Sequence, residues 1–109
     1  VVVVIGRGGK HIAEADARDH VAAYALGRDT TARDIQAEAK AKKAPWSVAK
    51  GFATFAPLGP LTPASAVPAP QALALALTVN GETRQAGTTA HMIFSVAQIV
   101  AYCFFFFND

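Results

Sequence analysis

The sequence predicts a β-rich α+β domain. Three observations carry this: a β-branched run at the start, an alternating Leu/Ala strand closed by Asn80-Gly81, and two helical segments set among the strands. Strands in blocks, with helices inserted, fit α+β better than a regular βαβ alternation. At 109 residues there is room for one domain with a modest core. With 52% hydrophobic and 17% charged residues, the chain is expected to fold or to be buried against a partner.

Val1 to Ile5 is a continuous β-branched run, the pattern of a strand covered on both faces. Gly6, Gly8 and Gly9 then turn the chain. Glu14 to Asp19, rich in alanine and charge, reads as a helical turn. Val21 to Leu26 is small and apolar and forms a second strand ending at Gly27. Thr30 or Thr31 is expected to cap a helix running to about Lys43. Asp34, three residues after Thr31, gives a start like a capping box, and Lys40, Lys42 and Lys43 lie at the end that favours cations. Pro45 stops this helix.

Gly51 to Gln71 holds five of the six prolines and two of the glycines, an ordered loop or a linker. Leu73, Leu75, Leu77 and Val79 then alternate with Ala72, Ala74, Ala76 and Thr78, a strand with one apolar face. Asn80-Gly81 is a strong hairpin signal, with Glu82 to Gln85 as the return strand. Ser95 caps a last helix through Val96, Ile99, Val100 and Phe104.

Charge and composition exclude several function classes. The net charge is +2, basic and acidic residues alternate, and beyond Gly51 only Glu82, Arg84 and Asp109 are charged. No basic stripe is available for nucleic acid. Met92 to Phe107 is apolar but shorter than the roughly 20 residues of a membrane span, and Ser95 and Gln98 interrupt it. No membrane association is expected, although the apolar tail reads as a surface for a partner. Cys103 is the one cysteine, which fits a reducing, cytoplasmic compartment, and it reads as a core residue.

Several lures fail on spacing. Gly6-Arg7-Gly8-Gly9-Lys10 has neither the spacing nor the Ser/Thr of a phosphate loop, and His11 stands where the dinucleotide pattern needs its third glycine. His11, His20 and His91 are too scattered for a zinc set. The dense stretch is Tyr24 to Gln36. Asp29 sits at a strand end before a helix, where a carboxylate caps the helix or binds a metal. Arg33 and Gln36, three apart, share a helix face. From these residues alone, a cap with a salt bridge and a functional site remain equal alternatives.

Here the sequence resembles the fumarylacetoacetate hydrolase family. The resemblance runs through Asp29, Thr31, Ala32, Arg33, Asp34 and Gln36, then Trp46-Ser47-Val48-Ala49-Lys50-Gly51-Phe52 and Pro57-Leu58-Gly59-Pro60. It continues through Val79-Asn80-Gly81-Glu82 with Arg84-Gln85, and Met92-Ile93-Phe94-Ser95. It covers nearly the whole chain in order, and looks closest to the acylpyruvate hydrolase and oxaloacetate decarboxylase branch.

The resemblance implies a mixed β-roll, incomplete here at both ends, with residues 1–109 as a single partial catalytic domain, the central fragment of the family's domain. It implies a Mg2+ or Mn2+ ion held by three carboxylates. Asp29 matches the third; the other two, a Glu-x-Glu pair, are expected immediately before Val1. Arg33, Gln36 and Lys50 match residues that surround the substrate oxygens and the developing oxyanion, and so are the expected catalytic and substrate-binding residues. A Thr-Gly-Thr-Pro substrate loop is expected after the Phe107-Asn108-Asp109 end, and the Phe104 to Phe107 run departs from the more polar family pattern. The implied chemistry is cleavage beside the 2-oxo group of a small acid by a homodimeric enzyme, with isomerase and decarboxylase activities as alternatives within the family. The rival is a non-catalytic remnant that packs on a partner.

Overall fold

A computed structural model describes residues 1–106; Phe107, Asn108 and Asp109 lie outside the described residues. The fold is α+β, as expected, with two small sheets among the described residues. The first has strand order β1-β2-β3, with β1 at Val2–Ile5, β2 at Val21–Ala25 and β3 at Thr62–Pro63. β3 runs antiparallel to β2, pairing Ala23 with Pro63 and Tyr24 with Thr62. The second sheet is the hairpin of β4 (Ala74–Val79) and β5 (Glu82–Thr88). Among the described residues three α-helices complete the fold: α1 (Arg33–Ala41), α2 (Ser47–Lys50) and α3 (Val96–Phe106).

β1 forms where its β-branched residues place it, yet it is half-buried and Ile5 is exposed. Its residues are half-buried or exposed and none is fully buried, so it is not the strand covered on both faces that the sequence predicts. The glycine turn after it is sterically required at Gly6, where a Cβ would stand 2.5 Å from the Ala22 Cβ. Gly6 N–H donates to the His20 carbonyl at 2.9 Å, so the chain passes close to β2. Glu14–His20 winds as a tight 3-10 turn, as the sequence indicates.

The described residues divide into two compact units, one of Val1–Val2 with Ala25–Leu61 and the other of Val3–Tyr24 with the described residues from Thr62 onward. The second unit holds the hydrophobic core: Ala17, Val21, Tyr24 and Val67 with Val96, Val100 and Phe104 of α3. The helical residues stand four apart, one stripe of α3. Phe104 also packs edge-on against the His20 ring, centroids 5.4 Å apart. His20 is itself buried and satisfied, its Nδ1 2.9 Å from the Arg7 carbonyl oxygen.

Ser95 caps α3 as expected. Its Oγ accepts from Gln98 N–H at 3.1 Å, and Gln98 Oε1 accepts from Ser95 N–H at 2.8 Å, a reciprocal capping box. Cys103 is exposed, which corrects its reading as a core residue; it lies off the Val96–Val100–Phe104 stripe. Ile99, Tyr102 and Phe105 are exposed as well. No helix of the described residues is long and apolar enough to cross a membrane.

The hairpin turns at Asn80 and Gly81, with φ of 51° and 81°, the left-handed pair that Asn-Gly favours. β4 alternates as its Leu/Ala pattern requires, but Leu75 and Leu77 are only half-buried. β5 extends past Gln85 to Thr88, and the register shifts at Leu77/Thr78.

Candidate active site

The four residues singled out by the sequence lie in the first unit, and backbone pairing explains how they are held. Beyond β2 the chain stays extended: Gly27 bridges Leu58, Arg28 N–H donates to the Pro57 carbonyl at 3.2 Å, and Thr30 N–H donates to the Phe55 carbonyl at 2.9 Å. Asp29 is thus fixed between two paired residues.

This pairing also moves the helix start. Neither threonine caps α1; its N-cap is Ala32, which makes no side-chain cap hydrogen bond. The extended pairing commits the Thr30 backbone, so the helix begins only at Arg33. Asp34 sits in the first turn, its Oδ1 accepting from Ile35 N–H at 2.9 Å rather than forming a box with Thr31. At the far end, α1 closes with Lys43 at φ 53°, where Ala44 N–H donates back to the Ala39 carbonyl at 2.9 Å. A lysine there takes the left-handed position that glycine fills at lowest cost.

A short helix absent from the sequence expectations positions the fourth residue. α2 is tethered to the start of α1 by Ala32 N–H donating to the Ala49 carbonyl at 3.0 Å, with Ala49 fully buried. Lys50, the last residue of α2, then reaches Asp29: Nζ lies 2.6 Å from Oδ2. Arg33 and Gln36 meet on α1, the guanidinium Nη1 donating to Gln36 Oε1 at 2.8 Å. Gln36 is buried while Arg33 is exposed, so a fixed amide holds a solvent-facing cation.

Thr30 Oγ1, offered by the sequence as a helix cap, is instead buried without a hydrogen-bond partner among the described residues. His11, His20, His91, Glu14 and Cys103 all belong to the other unit.

The unit holds two polar pairs, Lys50 with Asp29 and Arg33 with Gln36, which offer cations for an anion and a hard oxygen donor. Two cations and a buried amide suit carboxylate and carbonyl oxygens. The Asp29 side chain is 78% exposed and offers carboxylate oxygens, the donor type that Mg2+ and Mn2+ select. Asp29 therefore fits as one ligand of such an ion. Among the described residues no group of three or more His, Cys, Asp or Glu side chains could hold the ion alone.

Residues 1–107 match the C-terminal domain of fumarylacetoacetate (FAA) hydrolase, and the chain belongs to that family. Within it, the chain is similar to enzymes acting on oxaloacetate and acylpyruvates. It is 49% identical over 100 residues to the mitochondrial oxaloacetate tautomerase FAHD1 of Rattus norvegicus, covering 92% of this chain and 45% of the relative. The corresponding protein of Arabidopsis thaliana is 44% identical over 102 residues, covering 94% of this chain and 46% of the relative. A solved structure of fumarylpyruvate hydrolase from Pseudomonas aeruginosa, in complex with Mn2+ and pyruvate, superposes with a TM-score of 0.89 at 42% identity, over 97% of this chain and 46% of that one. The chain thus spans about half the length of these relatives.

Proposed function

We propose that this chain is part of a divalent-metal-dependent enzyme that cleaves C–C bonds beside the 2-oxo group of small acylpyruvate-like acids. The observation that carries the proposal is the meeting of Lys50 with Asp29 at 2.6 Å, across 21 residues of sequence, in the unit that also presents Arg33 and Gln36. The Mn2+ and pyruvate bound by the fumarylpyruvate hydrolase relative support it.

In this reading residues 1–109 form a single partial catalytic domain, and Asp29 is one ligand of Mg2+ or Mn2+. The remaining carboxylates are a Glu-x-Glu pair outside this sequence. The ion, when bound, supplies Lewis-acid polarisation of the 2-oxo carbonyl. The chain's own residues bind and orient. The Arg33 guanidinium, held by the buried Gln36 amide, takes a substrate carboxylate or a developing oxyanion. Lys50 adds a second cation on a side chain free to pivot from α2. The working enzyme is a homodimer that binds neither nucleic acid nor membrane. Its compartment is reducing; we favour the cytoplasm, while the similar tautomerases carry a mitochondrial designation in their names.

A second reading, tautomerisation of oxaloacetate, is favoured by the 49% identity to a protein named for that reaction. It needs only a proton moved between carbon and oxygen, which the same cations would assist. Decarboxylase and isomerase activities are the remaining enzymatic alternatives, and the non-catalytic remnant is the rival from another class.

Steady-state assays of the Mn2+-loaded protein with an acylpyruvate and with oxaloacetate separate these readings. Faster turnover of the acylpyruvate, with kcat/KM reduced roughly 100-fold in Arg33→Gln, is the expected result. Faster enolisation of oxaloacetate selects the tautomerase. A folded, metal-loaded protein inert toward every 2-oxo acid tried would leave the remnant.

A further inference from the structure

We infer that Lys50 acts as an internal cation on Asp29 that competes with the divalent ion for this carboxylate and is released toward an anionic ligand when the metal enters. The inference rests on the proposed role of Asp29 as a metal ligand.

The Lys50 ammonium stands 2.6 Å from Asp29 Oδ2, an ion pair on the carboxylate proposed to hold the metal. An ammonium and a divalent ion drawn to the same carboxylate repel one another. The side chains are 34% and 78% exposed, so water and salt screen that repulsion and set it at a few-fold in affinity, not at orders of magnitude.

The architecture also decides which partner moves. Asp29 lies on the extended segment pinned by Arg28 to Pro57 and Thr30 to Phe55. The Lys50 backbone is pinned too, its N–H donating to the Trp46 carbonyl at 3.2 Å beside the buried Ala49. Its head, however, ends a flexible four-carbon stem. The Lys50 ammonium would therefore be the group to move if a divalent ion occupied Asp29, with the backbone left in place. A freed ammonium next to the ion is a site for an anion, so the metal and a 2-oxo acid favour each other's binding, reciprocally.

The test is Mn2+ binding to the complete protein that carries this sequence, followed by the electron paramagnetic resonance signal of free Mn2+ at low ionic strength. Lys50→Met is expected to bind Mn2+ roughly three- to tenfold more tightly than wild type, with the gain shrinking as salt is added. Lys50→Arg, which keeps the charge, should bind as wild type does. Pyruvate should tighten Mn2+ binding more in wild type than in Lys50→Met. Unchanged circular dichroism of Lys50→Met establishes that the variant is folded.

Equal or weaker Mn2+ binding in Lys50→Met overturns the inference. Asp29→Asn separates the two levels of the argument. If it abolishes Mn2+ binding while Lys50→Met changes nothing, competition fails and the metal-ligand role of Asp29 stands. If Asp29→Asn leaves Mn2+ affinity unchanged, or wild type shows no saturable binding, both fall together.

Discussion

Gly6→Ala isolates one steric requirement of the fold. A Cβ built at Gly6 stands 2.5 Å from the Ala22 Cβ and 3.3 Å from its Cα. Those atoms are fixed to the backbone of β2, so no rotamer change relieves the contact. The turn must open, straining the Gly6 and Arg7 N–H bonds to the His20 carbonyl, at 2.9 and 3.3 Å. Overpacking of this kind costs about 1–3 kcal/mol. Gly8→Ala is the matched control, because its added Cβ meets nothing within 4 Å. In thermal unfolding followed by circular dichroism, each kcal/mol lowers the midpoint by roughly 4–8 °C for a domain of about this size. Gly6→Ala is therefore expected to melt well below wild type and Gly8→Ala close to it. Equal midpoints for the two variants would refute the close approach of the glycine turn to β2.

Two further perturbations probe the core and a helix end. Phe104→Ala removes the ring that packs on His20 and fills the core beside Val100, and should cost about 3–5 kcal/mol in denaturant unfolding. Lys43→Gly relieves a left-handed lysine at φ 53° and should stabilise the protein by about 0.5–1 kcal/mol, measured the same way. A loss of stability there would mean that the Lys43 side chain contributes more than its backbone strain costs.

The features legible in the sequence were those carried by neighbouring residues. Asn80-Gly81 determines its own turn, and Ser95 with Gln98 closes a cap within one helical turn. The Arg33–Gln36 pair follows from helical spacing in the same way. What depends on distant partners was hidden. The start of α1 is displaced because the Thr30 backbone pairs with Phe55, 25 residues away, and no local signal reports that. α2 is four residues long, too short for periodicity to reveal, and its position depends on the Ala32–Ala49 bond. The exposure of Cys103 depends on which stripe of an almost wholly apolar helix faces the core. Lys50 and Asp29 had no pairing signal across 21 residues; only the family resemblance drew both into one site.

The proposed chemistry stands or falls on whether Asp29 touches a metal. The most direct measurement is anomalous diffraction from crystals of the complete protein grown with Mn2+ and pyruvate. The expected result is a Mn2+ peak within coordination distance of an Asp29 oxygen, with the Lys50 ammonium turned onto the pyruvate. A peak elsewhere, or no peak with Lys50 still resting on Asp29, would contradict the account.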